Sequence, residues 1–426
     1  MNPGGRGGAG GLWRHGDFLK LWAAQSVSSL GARITREGLP FAAVMSLGAT
    51  PAQVGLLAAL ARGPAILVGL AGGGLVDRSR RRPLLIACDV GRALILATIP
   101  LAAWSHRLAM GQIYIVAALV GALSVLFDIA DHAYLPSLIA REQLVDGNAK
   151  LATTDALAEV GGPALYGVLF QFLTAPIAIA VNAGTYLFSA AALATITARE
   201  PPPTRATQRA SIRFIGDFRI GLAAAVADPA VRTLLILATA SALFGAFFSA
   251  LYIVFAVRQL HLSASMLGAT VAVGGVAALF GAGFAGRVIG RLGIGPAFVV
   301  TGIVASAGSV FIGLADGGPF AAMLMLMVAQ LIGDSSGTVT EIAARSLRQS
   351  LVAPALMGRV GGVFALAPGV TGIVGALVGG WLGGEVGARH ALLMATAGLI
   401  VVSMIGLFSP LLQMKAVEEP VAKTGP

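Results

Sequence analysis

The chain has 426 residues, of which 57% are hydrophobic and only 11% are charged, and its mean hydropathy is +0.85. This composition excludes a soluble globular protein, which would need more polar residues to cover its surface, and favours a membrane protein. The formal net charge of +10 would suit nucleic-acid binding, but the basic residues gather in alternate loops. The single cysteine, Cys88, excludes an intrachain disulfide framework and a multi-cysteine metal site.

Twelve apolar segments follow a glycine-rich N-terminus. Residues 1–17 are expected to be a disordered cytoplasmic segment that remains in the mature chain. Each later segment is near the roughly 20 residues that a membrane-spanning helix needs. The segments lie near residues 18–47, 52–76, 83–104, 112–139, 151–173 and 176–198, and then 233–257, 265–287, 295–315, 320–344, 360–382 and 389–411. The sequence therefore predicts an all-α membrane protein with twelve transmembrane helices in two six-helix halves.

The basic residues predict the orientation of these helices. If both termini are cytoplasmic, most Lys and Arg fall in cytoplasmic loops, and the opposite connections carry only Arg107, Arg258 and Arg389. Cytoplasmic loops of membrane proteins are enriched in Lys and Arg. We therefore expect a multi-pass protein of a bacterial-type inner membrane with both termini in the cytoplasm.

The longest connection, residues 199–231, separates an N-terminal bundle at 18–198 from a C-terminal bundle at 232–411, and a cytoplasmic tail follows at 412–426. It begins with the proline-rich, basic stretch REPPPTRATQR, which is typical of a linker. Within it, SIRFIGDFRIGL has apolar residues at helical spacing. This segment is either a helix on the cytoplasmic membrane surface or a plain amphipathic loop helix.

The two halves place similar basic loops at matching positions, about half the chain apart. LVDRSRRRPLL after the second span corresponds to FAGRVIGRLGI after the eighth, and LPSLIAREQL after the fourth corresponds to SLRQSLVAPAL after the tenth. Internal duplication with a site at the interface of the repeats is the design of many secondary transporters.

The loop after the second span, GGLVDRSRRRP at residues 73–83, resembles the signature loop of the major facilitator superfamily. The resemblance implies a cytoplasmic gate in which an acid engages a neighbouring helix terminus and basic residues. Its members here would be Gly73, Asp77, Arg78, Arg81 and Arg82. Arg80 replaces a glycine that the family usually has. The alternative is a loop that only sets topology, which explains the arginines but not the aspartate.

Two shorter patterns are assigned to moving parts of the same fold. Asp89 and Arg92 are three residues apart on span three and are interpreted as a pair that stabilises the gate. Gly162, Pro163 and Gly167 on span five are similar to the Gly-Pro motif of the superfamily's antiporters and would form a hinge. The alternative for the second pattern is a proline kink needed only for packing.

Three further stretches resemble the drug and siderophore exporter branch, which includes the enterobactin exporter and the macrolide efflux pumps. They are LWAAQSVSSLGARITREGLP in span one, LIAREQLVDGNAKL after span four and RSLRQSLVAPALMGRVGGVF before span eleven. The resemblance covers nearly the whole chain. It implies the major facilitator fold, with two pseudo-symmetric six-helix halves that alternate access to a site between them.

Several arginines lie within predicted spans, where a charge costs roughly 2.5 to 3.5 kcal/mol unless it is paired, hydrated or functional. On span one, the four-residue spacing of Arg33 and Glu37 allows a local ion pair, which leaves Arg36 without a local partner. Arg33, Arg36 and Arg62 of span two are the candidate residues of the substrate cavity. Arg36 and Arg62 would present a positive wall to an anionic substrate, or would form a structural network with Glu37.

Acidic residues within the spans are the candidates for proton coupling. They are Glu37 on span one, Asp128 and Asp131 with His132 on span four, and Asp334 and Glu341 on span ten. Partly buried carboxylates and histidines exchange protons near neutral pH. The alternative is that these acids neutralise arginines such as Arg141 and Arg345 at the inner ends of the helices. Asp155 and Glu159 on span five are expected to stabilise gates and interfaces.

The sequence therefore predicts a secondary active transporter that exports a small amphipathic drug-like molecule or a siderophore by proton coupling. The alternatives are an importer of an organic anion or vitamin-like solute, and a non-transporting membrane sensor. An enzyme is not expected, because the sequence has no paired nucleophile and base, phosphate-binding loop or metal cluster. The expected partners are a small-molecule substrate, protons and the lipid bilayer, without nucleic acid or cofactor, and the expected functional state is a monomer.

Overall fold

A computed structural model of the chain describes residues 11–198, 200 and 210–414. The described residues are helical apart from short connections, and they contain no strand. The expectations for residues 1–10 of the N-terminus, for 199 and 201–209 of the linker and for 415–426 of the tail lie outside this part of the chain. For the rest, the all-α prediction is confirmed.

The helices of the first predicted half have bounds close to the predicted ones. They are α1 (Gly16–Leu47), α2 (Pro51–Arg78), α3 (Arg81–Trp104), α4 (Met110–Leu138), α5 (Leu144–Phe172) and α6 (Ala175–Ala194). The largest difference is at the start of α5, which begins seven residues before the predicted 151. Asp146, Asn148 and Lys150 lower the hydropathy of this first stretch of α5, so hydropathy alone does not detect it.

A further helix, α7 (Ala210–Ala227), forms in the predicted linker, and the remaining helices follow it. They are α8 (Pro229–Arg258), α9 (Ala264–Leu292), α10 (Ile294–Gly308), α11 (Val310–Leu314), α12 (Pro319–Leu351), α13 (Met357–Glu385) and α14 (Ala388–Ile405). The short helices α10 and α11 together form the predicted ninth span, which is interrupted at Ser309.

Ten helical segments within the described residues are long and apolar enough to cross a membrane. The other two long helices, α1 and α5, carry charged residues inside the predicted spans. Arg33, Arg36 and Glu37 lie on α1, and Asp155 and Glu159 lie on α5. These charges lower the hydropathy of both helices, and the same charges form the candidate site described below.

The helices group into two compact units. The first contains α1, the part of α2 from Leu60 onward, and α3 to α6; the second contains Gly48–Ala59 and α7 to α14. The start of α2 belongs to the second unit because Gly55 lies directly against the backbone of Ala376 and Gly380 on α13. Small residues allow this close approach of two helix backbones in a membrane protein.

The core of the first unit is built from α1, α3, α4 and α6. Large side chains such as Phe18, Leu85 and Tyr134 are fully buried there. Along α1, Gly31 is so close to α6 that a Cβ atom at this position would overlap Asn182 and its neighbour Thr185. This packing fixes the position of α1, which carries the arginines of the candidate site.

The second unit is held together by equally close helix pairs. Gly281 of α9 lies against the backbone of Ser335 on α12, and Gly375 of α13 lies against the backbone of Leu243 on α8. Helix α7 packs on α13, where the side chain of Arg359 donates to Asp217 at 2.8 Å. The helix predicted within the linker is therefore present. Its position relative to the membrane surface stays a prediction.

Candidate functional site

A cavity of about 370 Å³ lies within the first unit, between α1, α3, α4 and α5. It brings together five of the predicted substrate-cavity and proton-coupling candidates from two distant stretches of sequence: Arg33, Arg36, Asp128, Asp131 and His132. Asp155, Arg92 and a set of polar and aromatic neighbours complete the lining. The cavity therefore combines basic and acidic side chains at one place.

The basic side of the cavity is a network between α1 and α5. Arg36 donates to Glu37 at 3.2 Å and to Glu159 at 3.0 Å, and Arg33 forms an ion pair with the same Glu159. The predicted local pair of Arg33 with Glu37 is therefore wrong, and Arg36 does have a local partner. The reason is that Glu159 reaches both arginines from another helix, which the spacing along α1 cannot reveal.

Gly162 allows this network to form. A Cβ atom at Gly162 would overlap the side-chain stem of Arg33, so the glycine lets α1 and α5 approach one turn away from Glu159. Gly167 is buried on the same helix. The side chain of Pro163 lies outside the described part of the structure, and the hinge role of the three residues stays a prediction.

Arg62 of α2 lies close enough to Arg36 for their positive charges to repel each other. This neighbourhood agrees with the predicted grouping of Arg36 and Arg62. Arg62 is not among the residues that line the cavity, so the basic wall consists of Arg33 and Arg36 on α1 and Arg92 on α3.

The acidic side of the cavity lies mainly on α4. Asp131 accepts a hydrogen bond from the side-chain amide of Gln25 on α1, and Asp155 accepts one from the hydroxyl of Ser29 at 2.7 Å. Within the described residues, no ion pair joins Asp128, Asp131 or Asp155 to a lysine or arginine. These three acids thus differ from Glu37 and Glu159.

His132 lies beside Asp128 and Asp131 in the wall of the cavity. Its Nδ1 atom lies 2.7 Å from the backbone carbonyl oxygen of Asp128. Because a carbonyl oxygen can only accept a hydrogen bond, Nδ1 acts as the donor in this contact, and Nε2 is the ring nitrogen outside it.

Asp89 and Arg92 form the predicted pair on α3, and the pair is almost fully buried. Their relative exposures are 0% and 2%, and Arg92 donates to Asp89. The guanidinium lies 4.4 Å from the ring centre of Phe127 and 4.3 Å from that of Tyr186. The predicted contact is confirmed. Arg92 also lines the cavity that contains Asp128.

The two candidates on span ten belong to the second unit and do not line this cavity. Glu341 pairs with Arg345 at 2.5 Å, four residues later on α12. This contact agrees with the alternative interpretation, in which Glu341 neutralises an arginine. Asp334 lies against Gly274 of α9, where a Cβ atom would overlap its carboxylate.

The start of α3, two residues after α2 ends, is held to the end of α6 and to Glu200 by Arg81 and Arg82. The side chain of Arg82 donates through Nε to the carbonyl oxygen of Leu193 at 2.9 Å and also to that of Ala194. The backbone N–H groups of Arg81 and Arg82 donate to the carboxylate of Glu200 at 2.5 and 3.2 Å. An acidic side chain at a helix N-terminus accepts hydrogen bonds from free backbone N–H groups, and a basic side chain at a helix C-terminus donates to free carbonyl oxygens. Both charges also interact favourably with the helix dipole.

The other residues of the predicted gate motif are Arg78, Gly73 and Asp77. Arg78 is exposed, Gly73 lies within α2, and the side chain of Asp77 lies outside the described part of the structure. The sequence does not reveal the contacts of Glu200, because this residue lies in a linker without helical or strand periodicity. The only signal for them is its position soon after the apolar residues of α6.

Asp17, at the start of α1, also binds the segment that follows α6. It accepts hydrogen bonds from the side chain of Lys20 at 2.9 Å and from the backbone N–H groups of Thr197 and Ala198 at 3.2 and 2.9 Å. Burial of the carboxylate opposes its ionisation, but these hydrogen bonds outweigh burial and lower the pKa of Asp17 to about 2. Asp17 therefore stays charged at neutral pH, at the start of α1.

Replacing Glu200 by Ala is expected to destabilise the first unit by about 1 kcal/mol, the usual cost of losing a helix N-terminal cap. The loss arises because two N–H groups of α3 lose their acceptor. The free energy of unfolding in mixed micelles measures it, with the exposed Glu142→Ala as the matched control. Equal stabilities of the two variants would contradict a capping role for Glu200.

Comparisons with known proteins identify the fold and the family. A model of the Major Facilitator Superfamily matches residues 21–375. The chain is 25% identical over 400 residues to the uncharacterised MFS-type transporter YfiS of Bacillus subtilis (strain 168), and 92% of each chain is covered.

Solved structures agree with this assignment at the level of the fold. A bacterial homologue of the iron transporter ferroportin, in an inward-facing state, has a TM-score of 0.75 and 15% identity, covering 92% of this chain and 98% of its own. The nucleoside transporter NupG has a TM-score of 0.68 and 13% identity, covering 93% and 98%. The chain therefore belongs to the Major Facilitator Superfamily and is a multi-pass membrane transporter of that family.

Proposed function

We propose that the chain is a proton-coupled exporter of a small amphipathic molecule, either a drug-like compound or a siderophore, that works by alternating access. The observation that carries the proposal is the cavity of the first unit, where Asp128 and Asp131 lie beside Arg33 and Arg36. Ionisable residues within a membrane are costly, and in transporters they serve ion and substrate pathways.

The choice of proton carriers follows from the ion pairs. Neutralising Glu159 removes the acid paired with Arg33, and neutralising Glu37 removes one of the two acids paired with Arg36. Neutralising Glu341 removes the acid paired with Arg345. Asp128 and Asp131 are in no ion pair within the described residues, so each can gain and lose a proton without breaking one. We therefore assign the coupled proton first to Asp128 and then to Asp131. Nε2 of His132 is the relay, and Asp334 remains a further candidate.

The energy available suffices for export. One proton entering down a potential of 100 mV supplies about 2.3 kcal/mol, and one pH unit adds about 1.4 kcal/mol. Together they sustain a gradient of a few hundredfold for a neutral molecule exchanged with one proton.

The moving parts are proposed on the family resemblance. Asp77 and the basic residues after it would close the cytoplasmic side, and the contacts of Arg81 and Arg82, at the start of α3, with Glu200 and the end of α6 support a latch here. Gly162, Pro163 and Gly167 would let α5 bend. The basic loops favour a bacterial-type inner membrane with both termini in the cytoplasm.

Transport in vesicles of both orientations tests the proposal. The chain is expressed in a host that lacks its own efflux pumps, and everted and right-side-out vesicles are energised by an imposed proton gradient. We expect accumulation of drugs or siderophores in everted vesicles only. Collapse of the proton gradient by an uncoupler should abolish it. Accumulation that resists the uncoupler would contradict proton coupling.

An importer of an organic anion or vitamin-like solute is the second candidate. The observation in its favour is the cluster of basic side chains, with Arg33 and Arg36 in the cavity wall and Arg62 near Arg36. Accumulation of such an anion in right-side-out vesicles, with none in everted ones, would establish this alternative. A complete lack of solute flux from purified protein in liposomes would instead favour a membrane sensor.

A further inference from the structure

A second cavity, of about 640 Å³, lies inside the second unit between α8, α10, α12, α13 and α14. Its volume is within the range of about 300 to 1,000 Å³ that is typical of sites for small molecules. It is distinct from the charged cavity of the first unit, and none of the transport roles proposed above uses it. Its lining is mainly apolar, with side chains such as Leu237, Phe298, Leu399 and Val402.

Of the four hydroxyl-bearing residues in the lining, Ser306, Thr340 and Ser403 are already hydrogen-bonded, and the fourth is Ser241. The hydroxyl of Thr340 lies 2.8 Å from that of Thr301 and donates to the carbonyl oxygen of Ser336 at 3.0 Å. The hydroxyl of Ser306 lies 2.8 Å from that of Ser403 and donates to the carbonyl oxygen of Gly302 at 2.9 Å. The inner part of the cavity therefore offers little hydrogen-bonding capacity to a ligand and suits an apolar body.

The charged residues of the cavity gather at one end. Glu341 and Arg345 neutralise each other in an ion pair at 2.5 Å. Arg348 lies over the ring of Phe364, at 5.0 Å from its centre, and no acid among the described side chains pairs with it. This end of the cavity therefore has one excess positive charge.

The cavity is also elongated. Its lining residues on α12 extend from Gly337 to Arg348, which corresponds to about 16 Å along a helix that rises 1.5 Å per residue. The excess charge of Arg348 is thus at one end of a long apolar space. A ligand that fits has a long apolar body and one anionic head group.

We propose that this cavity binds a long-chain carboxylate, with its apolar chain along α12 and its carboxylate at Arg348. Such an amphiphile would bind within the second unit alone. The proposal therefore goes beyond the proposed transport function and does not depend on it.

Photolabelling of the intact chain in phosphatidylcholine nanodiscs tests the site. The probe is palmitate with a diazirine in its chain, and the labelled residues are mapped by mass spectrometry. We expect saturable labelling of the cavity walls on α10, α12 and α13. Labelling that does not saturate, or that maps only to the outer surface of the chain, would overturn the proposal.

A cavity-filling substitution gives a sharper test. A Cβ atom at Gly337 meets no other atom within 4 Å, so the side chain of Gly337→Leu enters open space and the helix is retained. We expect about tenfold weaker saturable labelling. Gly283→Leu on α9 is the matched control, because its Cβ atom is equally free and Gly283 does not line the cavity. Equal effects of the two substitutions would contradict binding in the cavity.

A charge substitution tests the head group. Arg348→Gln is expected to weaken labelling by the palmitate probe about tenfold. A tenfold loss of affinity is about the contribution of one hydrogen bond to a charged group. Labelling by a hexadecanol probe with the same diazirine should stay unchanged. Arg287→Gln is the control, because Arg287 also lies over a phenylalanine, at 5.9 Å from the ring centre of Phe284, but outside the cavity. Equal losses for the acid and alcohol probes would overturn the role of Arg348.

Discussion

Replacing Asp128 by Asn is expected to abolish accumulation driven by a proton gradient, while exchange of the cargo across the membrane continues. Asn keeps the size of the side chain and can still form hydrogen bonds, but it cannot bind a proton at neutral pH. A pH difference of one unit can sustain up to about a tenfold gradient per proton. In the variant, the ratio of inside to outside concentration should therefore fall to about one. Proteoliposomes with an imposed pH difference measure this ratio, and counterflow measures the exchange.

The other acids of the cavity decide whether the effect is specific. Asp131→Asn should reduce coupling in part, because Asp131 shares the cavity and is hydrogen-bonded to Gln25. Asp146→Asn on α5 should change nothing, because Asp146 pairs with Lys150 and does not line the cavity. Proton-driven accumulation at the wild-type level in Asp128→Asn would exclude Asp128 as the carrier. Loss of coupling in Asp155→Asn alone would transfer the role to Asp155.

Hydropathy and charge were sufficient to predict the fold. Roughly 20 apolar residues can only cross a bilayer as a helix, since the backbone must satisfy its own hydrogen bonds there. The bounds of α3 and α8 accordingly differ from the predicted ones by only a few residues. Hydropathy does not detect the start of α5 because charged and amide side chains are mixed into its first turns, and the break between α10 and α11 has no proline to mark it.

The sequence was sufficient to predict which residues form the candidate site, but it predicted only some of the contacts between them. The pair Asp89 and Arg92 is local, three residues apart on one helix, and spacing was enough to find it. Arg33 instead pairs with Glu159, which is 126 residues away, because Gly162 lets the two helices approach. A single sequence does not say which helix faces which, so partners between helices remain hidden when a local partner is also available.

Arg92 connects three helices of the first unit through its side-chain contacts. Its charge is balanced by Asp89, its faces are covered by Phe127 and Tyr186, and it donates to Ser124 at 3.3 Å. These contacts join α3 to α4 and α6. Arg92 also lines the cavity beside Asp128, so the same residue connects the packing of the unit with the charge of the site.

Replacing Arg92 by Met is expected to destabilise the protein by about 3–5 kcal/mol, the usual cost of breaking a buried ion pair. Met keeps most of the length of the side chain, so the main loss is the charge. Asp89, whose exposure is 0%, is then buried without its cation. The free energy of unfolding, measured by titration with SDS in mixed micelles, gives the size of the effect. Arg291→Met, at an exposed position on α9, is the control and should change it by less than about 0.5 kcal/mol.

The double variant Asp89→Ala/Arg92→Met distinguishes the loss of the charge from the loss of packing. Removing both partners of a buried ion pair costs much less than removing one, because no unpaired charge is left behind. We therefore expect the double variant to regain at least half of the stability lost in Arg92→Met. If it is no more stable than the single variant, the contribution of Arg92 comes instead from its contacts with Phe127 and Tyr186, which Met cannot reproduce because it has no cation to place over the rings.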